Sequence, residues 1–190
     1  DFTFGYSLNV GIEVARGRFL AIISAHAKPV DDLWLEKLVT PLREDGIAMV
    51  YGRQVGHSRS KFAEASDFSK TFGEDRLVLK PPDFFANNAN SCVRRDLWEK
   101  HRFDEALTGL EDIDWARHWM LRGFQVVYEP SASVQHLHEE TWLQVERRYH
   151  REALAAARMG LMSRKDALSV PFQELGRVVT DCLQTLWGGT

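Results

Sequence analysis

Two adjacent carboxylates near the middle of the chain, Glu111 and Asp112, have the surroundings of a catalytic pair. They follow Gly109 and open a segment whose apolar residues recur at helical spacing as far as Met120, before Gly123 ends it. A carboxylate fixed where a loop meets a helix is held rigidly and stays open to a pocket. That suits a general base, which removes a proton from an incoming hydroxyl. The helix dipole also favours acids in a first helical turn, so a structural role is the alternative.

His136 and His138 allow a different chemistry. Two imidazoles at i and i+2 of a strand point the same way, as in some zinc sites, with Glu111 or Asp112 as a third ligand. The chain lacks an H-E-x-x-H motif or any further histidine cluster of that kind. A zinc hydrolase is therefore the weaker interpretation.

The composition bounds the class of protein. The chain has 190 residues, 44% hydrophobic and 27% charged, which suffices for one domain, with or without an appendage. Its net charge of −3 argues against a nucleic-acid-binding surface. Cys92 and Cys182 form no C-x-x-C motif, which predicts a reducing compartment. We find no signal-peptide pattern and no apolar run of the ~18 residues that a membrane span needs. A first residue other than Met predicts a processed or excised chain.

Helix-like and strand-like segments alternate early in the chain. We expect a helix over residues 7–15, a strand at Phe19–Ile23 buried on both faces, a helix over residues 32–42 and a buried strand at Ile47–Tyr51. This alternation predicts an α/β sheet with right-handed crossovers, in which the two strands are neighbours. So few parallel strands would leave an exposed sheet edge, so we expect a partner's strands or a larger domain.

The middle of the chain is less regular. Residues 87–91 are too polar for a core, although Cys92 and Val93 continue from them like a short strand. We expect a helix over residues 60–72, a strand over residues 125–128 and a half-buried strand over residues 132–138.

From Thr141 onward the pattern is helical. The first helix carries an apolar stripe formed by Trp142, Val145, Tyr149 and Ala153. We therefore divide the chain into a domain portion, residues 1–140, and a helical tail, residues 141–190.

The end of the tail predicts a second helix with a wide apolar face. Ser163 and Asp166 are typical of a capping box, and apolar residues then recur between Phe172 and Trp187. We expect packing on the domain, a homodimer contact or a membrane surface to cover this face, and we expect the isolated chain to self-associate.

Five segments, in this order, carry a resemblance to a known family. They are Gly5–Gly17 with the pattern G…N-x-G-I…A-x-G, Phe19–Pro29, Asn88–Arg95, Phe103–Asp112 with the pattern F-D-E…E-D, and Tyr128–His136. Together they resemble glycosyltransferase family 2, the inverting enzymes with the GT-A fold. The resemblance implies an α/β fold, a partial GT-A sheet from the C-terminal portion of the catalytic domain, followed by a helical appendage.

The resemblance also implies roles for residues. Asp112 is then the general base, and Glu111 orients it or touches the acceptor. Asp114 caps the helix or pairs with Arg117 or His118. The neutral side chains before the base offer donors and acceptors for sugar hydroxyls, the alternative being a turn that satisfies its own backbone; they are Asn88, Asn90 and Ser91.

Two departures from the family pattern qualify this. The nucleotide-binding half, which the family places before the N-x-G helix, is absent from the sequence. The metal-binding D-x-D position reads Ser24-Ala25-His26. Two alternatives follow: His26 and His136 hold a divalent metal, Mn²⁺ or Mg²⁺, or the site is metal-independent and His26 binds a phosphate, with Ser24 beside it at the substrate.

The expected function is transfer of a sugar from a nucleotide-sugar donor to an acceptor hydroxyl with inversion, in cell-surface polysaccharide or lipopolysaccharide synthesis. The expected acceptor is a glycan or a lipid-linked molecule, with no nucleic acid as partner. We expect a cytoplasmic protein, at the inner face of the cell membrane where it makes peripheral contact. The alternative is a non-catalytic remnant that acts as a binding or scaffold module.

Overall fold

The computed structural model of the protein describes residues 2–56, 68–136 and 141–161. The helices are α1 (Phe4–Val14), α2 (Trp34–Val39), α3 (Arg95–Trp98), α4 (Glu111–Met120) and α5 (Trp142–Arg158). The strands are β1 (Phe19–Ile23), β2 (Ala27–Pro29), β3 (Ile47–Gly56), β4 (Leu77–Leu79), β5 (Asn90–Arg94) and β6 (Gln125–His136). Residues 68–71 are also helical, which is the described part of the helix predicted over residues 60–72.

The strands form one mixed sheet in the order β1-β5-β3-β6-β2, with β4 also paired to β6. Among the described strands, only β3 and β6 pair in parallel; β5 runs antiparallel to both β1 and β3. The prediction that β1 and β3 are neighbours is therefore wrong, because β5 lies between them. The three strands β1, β3 and β6 still run in one direction, so their carboxyl ends meet at one edge of the sheet.

The two predicted core strands differ in burial. Residues 47–52 of β3 are all buried, as a continuous apolar run predicts. In β1, by contrast, burial alternates: Leu20 and Ile22 are buried whereas Ala21 and Ile23 are exposed. The prediction that β1 is buried on both faces is wrong: on its second face Phe19 is only partly buried against the other core layer, and Ala21 and Ile23 are exposed.

A single long strand, β6, replaces the two strands predicted over residues 125–128 and 132–138. Its pairing with β3 is interrupted between Gly52, which pairs with Glu129, and Gln54, which pairs with Val134. Pro130 lies in this interruption, where its missing N–H costs the ladder nothing. Strand β6 therefore pairs with β3 on both sides of the interruption.

Helix ends follow local chemistry. The Thr3 side chain accepts a hydrogen bond from the N–H of Tyr6 and starts α1 earlier than predicted. The helix predicted over residues 32–42 is α2 followed by a 3₁₀ turn, Thr40–Arg43. Pro41 lacks an N–H and cannot continue the α-helical hydrogen bonds, which explains the change.

No helix in the described ranges is long and apolar enough to span a membrane.

Helices cover both faces of the sheet. On one face α1, α3 and α4 build a core around Trp98, Phe103 and Trp115. On the other, Leu38 of α2 and Leu42 of the 3₁₀ turn pack on the central strands. Burying each large apolar side chain contributes ~1.5–3 kcal/mol, so these two layers fix the sheet from which the functional residues project.

The Asn9 side chain joins α1 to the segment that precedes α4. It is 2% exposed. Its amide donates to Phe103 O at 2.9 Å and to Glu105 Oε1 at 2.9 Å, and its oxygen accepts from Trp98 Nε1 at 2.9 Å. The Asn9 side chain therefore joins the N-x-G pattern directly to the F-D-E pattern.

The helix α5 is capped by Thr141 and Gln144 in a capping box. The predicted apolar stripe is wrong in part. Val145 is half-buried, but Tyr149 is 56% exposed and Ala153 is also exposed. The small side chains of Ala155 and Ala156 are buried instead, because they allow the helix to approach the domain closely. The side chain of Trp142, His138, the Ser163–Asp166 capping box and the face from Phe172 to Trp187 lie outside the described residues.

We predict that two glycine substitutions in α1 act in opposite directions. A Cβ at Gly5 would lie 2.3 Å from Asp104 O, whereas a Cβ at Gly11 meets nothing within 4 Å. Gly5→Ala should therefore destabilise the protein by about 1–3 kcal/mol, as overpacking does. Gly11→Ala should stabilise it by about 0.5–1 kcal/mol, because alanine is the better helix former. Urea unfolding measures both, and equal effects would contradict this account of the α1 contact.

Candidate active site

The predicted functional residues meet where the carboxyl ends of β1, β3 and β6 reach the start of α4. The N–H of Ser24, after β1, donates to Ala89 O at 3.0 Å. The N–H of Asn88 donates to Asp112 Oδ2 at 2.9 Å. Because residues 88 and 89 are adjacent, the Ser24 loop and the Asp112 carboxylate belong to one site. Ligands of open α/β sheets bind at this edge.

The start of α4 depends on an unusual backbone conformation. Leu110 has φ 60° and ψ 23°, the left-handed region, and its carbonyl accepts the N–H of Asp114 at 3.0 Å. This conformation costs a residue other than glycine ~1–2 kcal/mol. The left-handed residue is thus not Gly109, which precedes the carboxylate pair in the sequence, but the leucine after it. The helix itself begins at Glu111 and is closed by Gly123 with φ 91°, as predicted.

Asn88 holds the two carboxylates in place. Its backbone N–H bonds to Asp112, and its side-chain Nδ2 donates to Glu111 Oε1 at 3.3 Å. Its Oδ1 accepts a hydrogen bond from Ser91 Oγ at 2.8 Å. Asn88 is 8% exposed, Glu111 is 6% exposed and Ser91 is fully buried. One asparagine thus connects the sheet to both carboxylates.

Burial perturbs both carboxyl groups. It raises the pKa of Asp112 to about 7, and the neighbouring charge of Glu111 acts in the same direction. Burial also raises the pKa of Glu111, against the hydrogen bond from Asn88, while the charge of Glu152 raises it further. A carboxyl group that titrates near neutral pH suits a general base. A solvated acid that only met the helix dipole would have its charged form favoured instead.

Asp114 differs from its neighbours. Burial raises its pKa as well, with a lowering effect of the His101 and Arg117 charges. The predicted pairing with Arg117 or His118 is not found in the described ranges: Arg117 Nη1 donates to Met159 O at 2.7 Å, and the His118 ring stacks on His101. The structure therefore gives Asp114 no ion pair there.

Asn90 and Ser91 lie in the core, so the expectation that residues 87–91 are too polar for it is wrong. Asn90 is fully buried. Its Oδ1 accepts a hydrogen bond from Trp34 Nε1 at 2.8 Å. Its Nδ2 donates to Ala132 O at 2.8 Å and to Arg53 O at 3.1 Å. It fills the interruption between β3 and β6, where a Cβ at Gly52 would lie 2.4 Å from its Nδ2. These bonds engage both N–H groups and the oxygen of the Asn90 side chain inside the protein.

The two histidines of the predicted metal pair lie together. Their rings stack with centroids 4.7 Å apart and planes 18° from parallel. Ser24 Oγ lies 3.2 Å from His26 Nε2, and the His136 ring, 3% exposed, bonds through Nδ1 to Gln54 Oε1. Sequence reasoning missed Gln54, because it follows the apolar run Ile47–Tyr51 after Gly52 and the charged Arg53, where no pattern marked it as buried.

This donor set does not fit a hard divalent cation. Each imidazole lone pair lies in its ring plane, so nearly parallel stacked rings do not aim at one point. Mg²⁺ and Mn²⁺ also favour oxygen ligands such as carboxylates. The two carboxylates of the D-x-D motif are missing here, because its positions are occupied by Ser24 and His26. Within residues 2–56, 68–136 and 141–161, no group of three His, Cys, Asp or Glu side chains could hold a metal ion.

The mixed sheet, covered by helices on both faces and with a carboxylate pair opening the helix before β6, has the GT-A fold of the solved glycosyltransferases to which the chain is similar. The profile of Glycosyl transferase family 2 matches residues 2–102, more than half of the chain. The chain belongs to this family. The match ends before Glu111 and Asp112, so the roles of those two residues depend on the geometry described above. No curated protein matches the chain in sequence.

Solved structures confirm the fold. The chain is similar to the mannosyltransferase PcManGT from Pyrobaculum calidifontis in complex with GDP-Man and Mn²⁺, with 16% identity, a TM-score of 0.61, and 86% of this chain and 45% of that chain covered. It is also similar to GalNAc-T7 with UDP, GalNAc and Mn²⁺, at 14% identity and a TM-score of 0.54, with 72% and 30% covered. A mycobacterial protein gives 14% identity and a TM-score of 0.52, with 76% and 47% covered. The chain thus spans less than half the length of each.

We predict that Asp112→Asn stabilises the protein in a pH-dependent way. Folded Asp112 has a pKa of about 7, against ~3.9 for an unfolded aspartate. Between these values the folded state binds more protons, so the contribution of Asp112 to stability is complete below about pH 4 and lost as the pH rises through about 7. The variant, which cannot ionise there, should gain stability relative to the wild type across this window.

Urea unfolding at several pH values measures this gain. Asp83→Asn, at an exposed position, is the control for removing one negative charge. A gain that is the same at every pH, or that also occurs in the control, would contradict a buried ionisable Asp112.

Proposed function

We propose that the protein containing this chain transfers a sugar from a nucleotide-sugar donor to an acceptor hydroxyl, with inversion at the anomeric carbon. One observation carries the proposal: Asp112 is held by Asn88 beside Glu111, with its pKa raised to about 7. Family membership supports the reaction class, and the GDP-Man and UDP in the two named structures support a nucleotide-sugar as donor.

The chemistry needs few groups. The acceptor oxygen attacks the anomeric carbon from the face opposite the diphosphate, and a new carbon–oxygen bond forms. The bond from that carbon to the phosphate oxygen breaks, and the diphosphate leaves with the electron pair. Asp112 takes the proton of the acceptor hydroxyl, for which it must be ionised, so the reaction should favour pH values above about 7. Glu111 orients the base, and Asn88 positions both.

Ser24 and His26 face the leaving diphosphate in this proposal. Ser24 is half-buried, His26 is exposed, and their side chains lie within hydrogen-bonding distance of each other. A hydroxyl and an imidazole N–H can both donate to phosphate oxygens, which stabilises the charge that develops as the bond breaks. Asn90 and Ser91 keep structural roles, because their side chains bond within the core.

The fold does not select the sugar, so the donor is proposed only as a class. We place the activity at the cytoplasmic face of the cell membrane, on glycan or lipid-linked acceptors of surface polysaccharide or lipopolysaccharide synthesis. Self-association or membrane contact through the face from Phe172 to Trp187 remains part of the proposal.

A binding or scaffold role is the second candidate. The observation that favours it is the replacement of both D-x-D aspartates at Ser24-Ala25-His26. The two functions differ in one measurement: a scaffold binds a nucleotide-sugar or a glycan without consuming it, whereas the enzyme releases the nucleoside diphosphate.

Asp112→Asn should lower turnover by about 10²-fold or more in the full-length protein, because general-base catalysis contributes at least that much. The affinity for the donor should be nearly unchanged, because the amide keeps the shape of the side chain. Asp114→Asn, in the same helical turn, is the matched control and should lose much less. Steady-state release of nucleoside diphosphate measures turnover, and equal losses in both variants would indicate a fold defect.

We further predict that turnover survives removal of divalent cations. The reason is the donor set of His26 and His136, which does not fit Mg²⁺ or Mn²⁺ as arranged. Protein treated with EDTA and then desalted should keep most of its activity, and His26→Ala should lower turnover with or without the chelator. Loss of activity in EDTA that Mn²⁺ restores would overturn this prediction.

A further inference from the structure

The helix α5 is bonded to the segment that leads into the carboxylate pair. Thr108 Oγ1 donates to Arg151 O at 2.9 Å, and Arg158 Nη1 donates to Ala106 O at 2.8 Å. These two hydrogen bonds, which we call the α5 contact, both connect α5 to residues 106–108. From α4, Arg117 Nη1 donates to Met159 O, immediately after α5, at 2.7 Å. The helix α5 and the residue that follows it therefore bond to residues 106–108, before Leu110, and to α4, after Leu110.

The residues between the α5 contact and the base leave little freedom. Gly109 is buried, and a Cβ placed on it would lie 3.7 Å from Glu152 Cγ of α5. Leu110 follows in its left-handed conformation, and Glu111 and Asp112 come next. A leucine persists in that conformation only where the surrounding structure over-determines it. The helix α5 is part of the structure that surrounds this segment, because its Glu152 lies next to Gly109.

We propose that Thr108 is a positioning residue for catalysis, acting through the α5 contact to hold Leu110 and thereby the Asp112 carboxylate in its reactive place. The inference rests on the proposed function for its catalytic part. It gives a role in the site to a helix that the sequence assigned to a separate tail beginning at residue 141.

Electrostatics supports this arrangement. Glu152, which lies against Gly109, raises the pKa of Glu111 through its charge. The same helix that bonds to Thr108 thus adds negative charge next to the carboxylate pair. Loosening the α5 contact should admit water to the pair and move α5 away, and both changes lower carboxyl pKa values.

The test compares two substitutions at one position. Thr108→Val keeps the shape of the side chain and removes the hydroxyl, whereas Thr108→Ser keeps the hydroxyl. Arg147→Ala, at an exposed position of α5, controls for changes in the helix alone. Each protein is titrated by carbon-13 NMR of the Asp112 carboxyl, and turnover and the donor and acceptor KM values are measured on the full-length protein.

In Thr108→Val we expect the Asp112 pKa to fall from about 7 toward its ordinary value. Turnover should fall by about tenfold or more, since displacing a catalytic group by about 1 Å can cost up to 10²-fold. The donor KM should stay unchanged. Thr108→Ser and Arg147→Ala should match the wild type.

An unchanged Asp112 pKa and turnover in Thr108→Val would overturn the proposal, and so would equal losses in Thr108→Ser. If Thr108→Val fails to fold, Arg158→Ala removes the other hydrogen bond of the α5 contact and is judged by the same two readouts, with Arg158→Lys as its conservative partner. A wild-type protein without transfer activity refutes the proposed function, while the titration still decides whether the α5 contact positions Asp112.

Discussion

The site depends on keeping two adjacent carboxylates away from water without leaving either unsupported. Charging both Glu111 and Asp112 in a poorly solvated place is costly, because desolvation and mutual repulsion act together. The hydrogen bonds from Asn88 favour the charged forms, and Ser91 fixes the side chain of Asn88. The balance leaves Asp112 titrating near neutral pH. Stronger hydrogen-bond donors would lower the pKa of Asp112 and make it a weak base. A site with less water would raise that pKa further and keep the carboxyl group protonated.

The sheet supplies this support through polar side chains that lie inside it. Asn90 occupies the interruption between β3 and β6, and the absence of a side chain on Gly52 makes room for it. Asn9 performs a similar task between α1 and the segment before α4. Each amide satisfies backbone groups that would otherwise be buried without partners, which costs ~1–3 kcal/mol apiece. Asn90, which was predicted to bind sugar hydroxyls, makes its hydrogen bonds within the sheet.

Local chemistry explains what the sequence predicted well. The apolar run at Ile47–Tyr51 and the helix α4, Glu111–Met120, depend on nearest neighbours, and both were predicted. Strand order does not depend on nearest neighbours. Strand β5 lies between β1 and β3 because it pairs with residues that are dozens of positions away in the sequence. Its burial was not predicted because it begins with polar residues. The left-handed Leu110 was also unpredictable, because leucine rarely adopts that conformation and tertiary contacts impose it. The buried face of α5 was missed because small alanines, rather than large apolar side chains, make the contact.

The two sides of the site are built differently, and this bears on the replaced aspartates. The base side consists of buried groups whose hydrogen bonds depend on one another, from Ser91 through Asn88 to Glu111. A change in one of them leaves another buried polar group unpaired. The side that we propose for phosphate carries His26 on an exposed loop, where its ring stacks on that of His136. In the proposed reaction, an imidazole in place of a carboxylate at this exposed position changes which charge the leaving diphosphate meets. In the proposed mechanism, the base can thus stay intact while the means of stabilising the leaving group changes.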